Sequence, residues 1–196
     1  MEKLLNTRPA VIFSILIIGF IFTSITIPEF PLITSVFQIL GFLSYLIYPL
    51  IVGHFLAEYL PNKIKLNNSF FLINFFIVFA SYSLIAIISD GKGMVFNGLA
   101  AIPFLYNFYA FVYFCAFPAK IIKSIELNKE AELGEYIADF FLILFLPIGI
   151  WFIQPRINKI VQNQIKETAQ WNGPPLTPHC QNIVFWLFLF LYLGKK

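Results

Sequence analysis

The sequence predicts an all-α, polytopic membrane protein, and three observations carry that expectation. Hydrophobic residues make up 59% of the 196-residue chain and charged residues only 12%, against roughly 45–50% and about 25% in an ordinary soluble domain. A soluble fold of this length has too much surface for its volume to hide such an apolar excess, so a second apolar solvent is needed. The apolar residues also fall into long runs free of Asp, Glu, Lys and Arg, separated by Pro, Gly and charged turns. Finally, the basic residues cluster beside alternate ends of those runs, as the positive-inside rule requires.

The first run, residues 9–27, reads PAVIFSILIIGFIFTSITI and carries no charge. As a helix it would cross roughly 28 Å, enough for a bilayer core. Pro9 suits a first helical position. The run is longer than the apolar part of a signal peptide and no small-residue cleavage site comes after it, so it is expected to be retained. Gly19 and Thr23 form a small-xxx-small pair, a helix-packing signal. Pro28-Glu29-Phe30-Pro31 then makes a turn.

A second span is expected at residues 32–56, where Gly41, Pro49 and Gly53 are possible bends; Pro61 and the polar stretch after it end the run. The third span, 69–89, closes at Asp90-Gly91-Lys92-Gly93, a strong turn signal. The fourth, 94–117, holds Pro103 and is followed by Pro118. These four spans form the firm part of the expected fold. Residues 119–138 mix Lys120, Lys123, Lys129, Glu126, Glu130, Glu132 and Glu135 with apolar residues at rough helical spacing. They predict a helix broken near Gly134, lying at the membrane surface or reaching out of it; a solvated connector is the alternative.

The fifth run, 140–154, is short, with Pro147 and Gly149 at its middle. Either it crosses as a Pro-kinked span in a thinned bilayer, or it enters and returns at Pro147-Ile148-Gly149. The spanning form is the expectation, because re-entrant backbone needs protein or water to line it. Residues 1–156 thus form one membrane domain, and 157–196 a polar tail with a short apolar terminus.

An N-terminus in the cytoplasm places Lys3, Arg8, Lys63, Lys65, Lys120, Lys123 and Lys129 inside and leaves only Lys92 outside. The tail, with Arg156, Lys159 and Lys166, lies inside only if the fifth run returns.

Polar residues in or near spans are the candidate site residues. His54 and Glu58 stand four apart and would share a helix face; a proton relay or metal pair is one reading, a wet interfacial pair the simpler one. Two ligands do not make a zinc site. Asn74 and Asn107 can hydrogen-bond between the third and fourth helices, as structural glue or as part of a transport path. No Asp, Glu, Lys or Arg stands mid-span in the first four runs, which disfavours ion-coupled transport. HExxH, GxSxG and Walker motifs are missing. Cys115 and Cys180 suggest neither a disulfide framework nor a metal set, and no cofactor is expected. A net charge of +3 without an aromatic-laced basic patch argues against nucleic acid.

The stretch Gly134–Asn158, GEYIADFFLILFLPIGIWFIQPRIN, resembles a block found in a family of small uncharacterised bacterial multi-pass membrane proteins. There a Gly-Asp/Glu-Tyr start leads through FF to PIG-W and QPRIN. The resemblance covers about an eighth of the chain, and residues 171–196 depart from the pattern that the family shows after the block. It implies the bacterial cytoplasmic (inner) membrane and carries no known activity.

The functional expectation is a non-enzymatic accessory or assembly subunit of a membrane complex, whose partners are the bilayer and other membrane subunits or a second copy of the chain. A small transporter or channel component with a path near the Pro147–Gly149 break is the second reading. An intramembrane enzyme using His54 and Glu58 is the third.

Overall fold

Apolar runs in a chain with few β-favouring turns form helices because a helix satisfies its backbone hydrogen bonds internally. The computed structural model describes residues 7–61, 63–89, 98 and 101–170, with side chains through residue 163. Among the described residues there are six α-helices and no strand. They are α1 (Pro9–Ser24), α2 (Pro31–Leu56, continued by the 3₁₀ turn Ala57–Tyr59), α3 (Asn68–Ile88), α4 (Ala101–Leu127), α5 (Leu133–Leu144) and α6 (Leu146–Gln170). The chain divides into two compact units, Met1–Gln164 and Ile165–Lys196; of the second, only the last turns of α6 are described.

Three of these helices are long and apolar enough to cross a membrane: α2 with its 3₁₀ extension, α3 and α4. The first run yields a shorter apolar helix of 16 residues, not the full 9–27 segment. At its end Thr23 and Ser24 turn their hydroxyls back onto Phe20 O, and Ile25 leaves the helix in an extended conformation. Ile27, just before Pro28, is then clamped by Thr34, whose Oγ1 accepts from Ile27 N at 2.8 Å and donates to Ile27 O at 3.1 Å.

The small residues of α1 mark where it crosses α2. A Cβ on Gly19 would collide with the Ser44 hydroxyl, and one on Gly41 would collide with Gly19 O and the Thr23 methyl. In lipid the hydrophobic effect does not drive one apolar helix onto another, so close backbone approach and dispersion must do so. Gly53 serves the same end on the other side of α2, where a Cβ would press on the Phe71 ring. Phe71 is fully buried and stacks on Phe114 and Phe117 of α4, with ring centroids 5.2 and 4.5 Å apart. Ser35 of α2 donates to Ala86 O of α3 at 2.7 Å.

The fourth helix does not end at residue 117. It runs through Pro118 to Leu127, because Ala119, Ile121, Ile122 and Ser124 are wholly buried beyond the proline. Their packing outweighs the ~3 kcal/mol that an interior proline costs. The expected start of this run at 94, and the turn at 90–93, lie outside the described residues.

The expected interfacial helix at 119–138 is therefore not one element. Its first part is the end of α4. Asn128, in the left-handed region at φ 52°, ends that helix, and Ser124 Oγ accepts from Ala131 N at 3.0 Å to fix the turn. Glu132 then caps α5, with Glu135 reaching back to the Glu132 amide in a reciprocal capping box. Gly134 sits inside the first turn of α5 rather than at a break.

The fifth run is likewise not a single helix. It is split at Phe145 between α5 and α6. The two helices fold back on each other: Gly149 lies against the Leu142 backbone and Arg156 reaches Asp139. The expected polar tail continues as α6 to residue 170. One stripe of that helix, Leu146, Ile150, Ile153, Ile157, Ile160 and Val161, is buried in the core. The stripe keeps helical spacing across the point where composition turns polar, which is why the tail looks detached in the sequence. The apolar terminus and Cys180 lie outside the described residues.

Candidate functional site

The α5–α6 hairpin brings together groups far apart in sequence. A hairpin turn exposes the last carbonyls of its first helix, and each needs a donor. Phe145 N donates to Phe141 O at 2.9 Å, while Phe145 O accepts from Ile148 N and Gly149 N at 3.0 and 2.9 Å. Tyr45, near the middle of α2, supplies the rest. Its hydroxyl donates to Leu144 O at 2.8 Å and lies 3.3 Å from Ile143 O. One turn along α2, the buried Tyr48 donates to Gln154 Oε1 of α6 at 2.9 Å, and Gln154 donates to Asn158 Oδ1 at 2.9 Å.

At the base of the hairpin, Arg156 of α6 is held by two carboxylates from two other helices. Its Nε and Nη2 donate to the Glu126 oxygens of α4, both at 2.7 Å. Its Nη1 and Nη2 donate to the Asp139 oxygens of α5, the second at 2.9 Å. Asp139 is 5% exposed, so this partner replaces most of the water around its carboxylate. The hydrogen bonds it donates to Asp139, then those to Glu126, raise the guanidinium above its ordinary pKa. Lys123 stands 3.7 Å from Glu126, and Lys120 pairs with Glu130 at 2.6 Å. On the surface, Lys129 and Glu135 pair at 2.7 Å. That bond and the Glu132 amide hold the Glu135 carboxyl below its usual range, and the pair raises Lys129.

The six sequence candidates fare differently. His54 is buried, but its Nδ1 lies 3.0 Å from Asn68 Nδ2 of α3. Glu58 is exposed in the 3₁₀ turn beyond the end of α2. The two residues differ in environment, His54 being buried and Glu58 exposed. Among the described residues no group of three or more His, Cys, Asp or Glu is placed to hold a metal. Asn107 accepts from Ser81 of α3 at 2.6 Å and so bonds across α3 and α4, though not to Asn74. Asn74 is fully buried; its amide donates to Phe70 O in its own helix at 2.8 Å, and its Oδ1 has no partner. Pro147 stands in the first turn of α6, where its missing N–H costs nothing, and the break falls at Phe145 instead. Gly149 is the position where the two arms of the hairpin touch.

Of the aromatic residues, Tyr45 and Tyr48 hold the hairpin. Tyr82 stacks on Phe42 with centroids 3.9 Å apart, Tyr106, Tyr109 and Tyr113 form a ladder along α4, and Trp151 meets Phe13 of α1.

Sequence reasoning missed the hairpin contacts of Tyr45 and Gln154 and the Glu126–Asp139–Arg156 clamp. A signal was present: Asp139 and Arg156 are opposite charges bracketing an apolar run with Pro and Gly at its centre, a pattern that suits the base of a hairpin. The chain matches no family model, and no curated protein or solved structure is detectably similar to it.

Proposed function

We propose that this protein is a non-enzymatic accessory or assembly subunit of a bacterial inner-membrane complex. Its N-terminus lies in the cytoplasm, α1 to α4 cross the membrane, and α5–α6 re-enters from the cytoplasmic side. The resemblance of the Gly134–Asn158 block supports the bacterial membrane, and the basic flanks support the orientation. Helix α1 spans about 24 Å on its own, and the extended residues 25–27 complete its crossing. The Arg156 clamp supports the re-entrant form, because it ties the second arm of the hairpin to the inner end of α4. In that form Arg156, Lys159 and Lys166 are all cytoplasmic, in keeping with the positive-inside rule. The tip at Phe145 sits beside mid-α2 with Tyr45 serving its carbonyls, the condition under which non-helical backbone is tolerated at depth.

The observation that carries the subunit reading is the first part of α4. Ile102, Phe104, Leu105, Tyr106, Phe108 and Tyr109 are each 48–63% exposed. At 100° per residue they cover about 200° of the helix, the remaining arc being that of Asn107, which bonds Ser81 of α3, and the buried Ala110, so a broad face of this segment is left exposed, and two hydroxyls stand in it. A neighbouring subunit would cover such a segment and give those hydroxyls partners. A photo-crosslinking residue at Leu105 or Phe108 is expected to capture one protein of discrete mass in membranes, while one at Ile73 on α3 labels only lipid. Lipid-only labelling at all three positions would refute the reading.

A second reading, a small transporter or channel component, is supported by the unpartnered, buried Asn74 Oδ1 and by a helix break within the bundle. Solute flux into proteoliposomes that an Asn74→Leu variant abolishes would favour it over the first.

A further inference from the structure

The α5–α6 hairpin ends partway along the helices it packs against, and its depth can be measured on two of them. The tip contact, Tyr45 with Leu144 O, stands roughly eleven residues, or about 16 Å of helix, from the end of α2 at Leu56. The first arm, α5, has 12 residues, or about 18 Å of helix. Both lengths are close to one leaflet of hydrocarbon, about 15 Å and half of a typical core. Helix α4 records the same limit. All of its buried residues fall at Ala110 or later, along the part that carries the Glu126 bond to Arg156. Before that point Phe104, Leu105, Phe108 and Tyr109 are 49–63% exposed.

The outward surface of the hairpin is apolar from base to tip. Leu133, Ile137, Phe141, Phe145, Ile148 and Phe152 are 41–68% exposed, while the charges of Asp139 and Arg156 are spent on each other and on Glu126. Such a surface is solvated by acyl chains rather than by water.

The two leaflets therefore hold unequal amounts of this protein. A helix with its side chains is about 10–12 Å across, or about 100 Å² in section. In the proposed topology the cytoplasmic leaflet accommodates α1 to α6, about 600 Å², and the outer leaflet only α1 to α4, about 400 Å². A partner that crosses the whole bilayer adds equally to both leaflets and leaves that difference in place. Lipid must splay or compress around a body that is broader in one leaflet, and bending the bilayer so that this leaflet lies on the convex side relieves the mismatch.

We infer that the half-depth hairpin makes this protein a wedge whose preferred lipid surface is convex toward the cytoplasm, so that it collects where the membrane folds inward. The inference rests on the re-entrant topology proposed above.

The test uses the full chain, carrying a fluorophore at its N-terminus, in giant vesicles of phosphatidylcholine, whose lack of net charge keeps electrostatics out of the comparison. A narrow tube is pulled outward from each vesicle, and a membrane-impermeant quencher separates molecules with their cytoplasmic end outside from those with it inside. The density of the first population on the tube, relative to the parent membrane, is expected to rise as the tube narrows, and that of the second to fall. Equal densities for the two orientations, or the opposite order, would overturn the proposal. Ile148→Lys puts a charge on the lipid face near the tip, where it is costly, and so drives the hairpin toward water. It should lose the orientation-dependent sorting while helicity is retained; undiminished sorting in this variant would also overturn the proposal. A separate labelling arm isolates the premise. In a Cys180→Ser background, Lys159→Cys should react with an impermeant thiol reagent on the same side as the N-terminus. Reaction from the opposite side sinks the re-entrant topology and the wedge with it, whereas reaction on the expected side without sorting sinks the wedge alone.

Discussion

Replacing Arg156 by glutamine tests the central structural claim, that α5–α6 is a hairpin clamped to α4. The guanidinium donates to both oxygens of Glu126 at 2.7 Å and to both oxygens of Asp139. The two acids are not equivalent. The Glu126 side chain is 29% exposed, so water stabilises it when its partner is lost, and that share should be at most about 1 kcal/mol. The Asp139 side chain is 7% exposed, so removing Arg156 leaves a buried, unpaired carboxylate, a loss of about 3–5 kcal/mol. The expected destabilisation is thus about 3–5 kcal/mol, nearly all through Asp139. Asp139→Asn in the Arg156→Gln background should recover much of the loss, because it removes the uncompensated charge. Unfolding in mixed micelles with increasing denaturing detergent measures all three variants and the coupling between them. A loss below about 1 kcal/mol for Arg156→Gln, of the size found for exposed pairs, would refute the clamp. So would Glu126→Gln costing as much as Asp139→Asn.

The same geometry sets the outcome of smaller perturbations. Gly149→Ala should destabilise the protein by about 1–3 kcal/mol or more, because the new methyl meets the Leu142 carbonyl, a backbone atom that cannot swing away. Gly134→Ala, with open space around it, should be neutral or stabilising by up to about 1 kcal/mol; thermal unfolding in detergent distinguishes the two. Tyr45→Phe should cost about 1–3 kcal/mol by leaving the Leu144 carbonyl without its donor, and should speed amide exchange at the tip, read by hydrogen–deuterium exchange of residues 141–149. Glu135 carries a pH dependence: its carboxyl is depressed in the folded protein, so its contribution is present above the ordinary value of about 4.3 and is lost as pH falls through the lower folded value. Glu135→Gln should therefore flatten the acid limb of a stability-versus-pH profile below about pH 4.3 and leave the neutral range unchanged apart from the lost pair.

Much of the helical framework is legible in the sequence because lipid solvation imposes a simple rule on composition. Charge-free runs of sufficient length stand out, and the bounds of α2 and α3 fall close to those expected. Errors arise where burial by neighbours overrides a local signal. Pro118 looks like a stop, yet the buried face from Ala119 to Ser124 carries α4 past it. Residues 25–27 sit in the same uncharged run, yet the chain leaves the helix at Ile25 and Thr34 of the next helix holds the Ile27 amide and carbonyl. Of the candidate site residues, Asn107 can be read as a helix-bridging group from its place in a span, but its partner Ser81 cannot. His54 and Glu58 stand four apart in the sequence, but that spacing does not show that one is buried against Asn68 of α3 and the other exposed.

By itself the sequence determined that this chain forms helices apolar enough to cross a membrane and their approximate extent, because both depend on composition and on periodicity along a single stretch of chain. Only the tertiary structure decided that the fifth apolar run bends at Phe145, that α6 continues into the core, and that Glu126, Asp139 and Arg156 share one clamp. Those outcomes depend on contacts between residues distant in the chain, such as Tyr45 with Leu144, 99 positions apart. Their energy lies in hydrogen bonds and charge pairs whose worth is set by burial, and burial is a property of the packed bundle rather than of any segment in it.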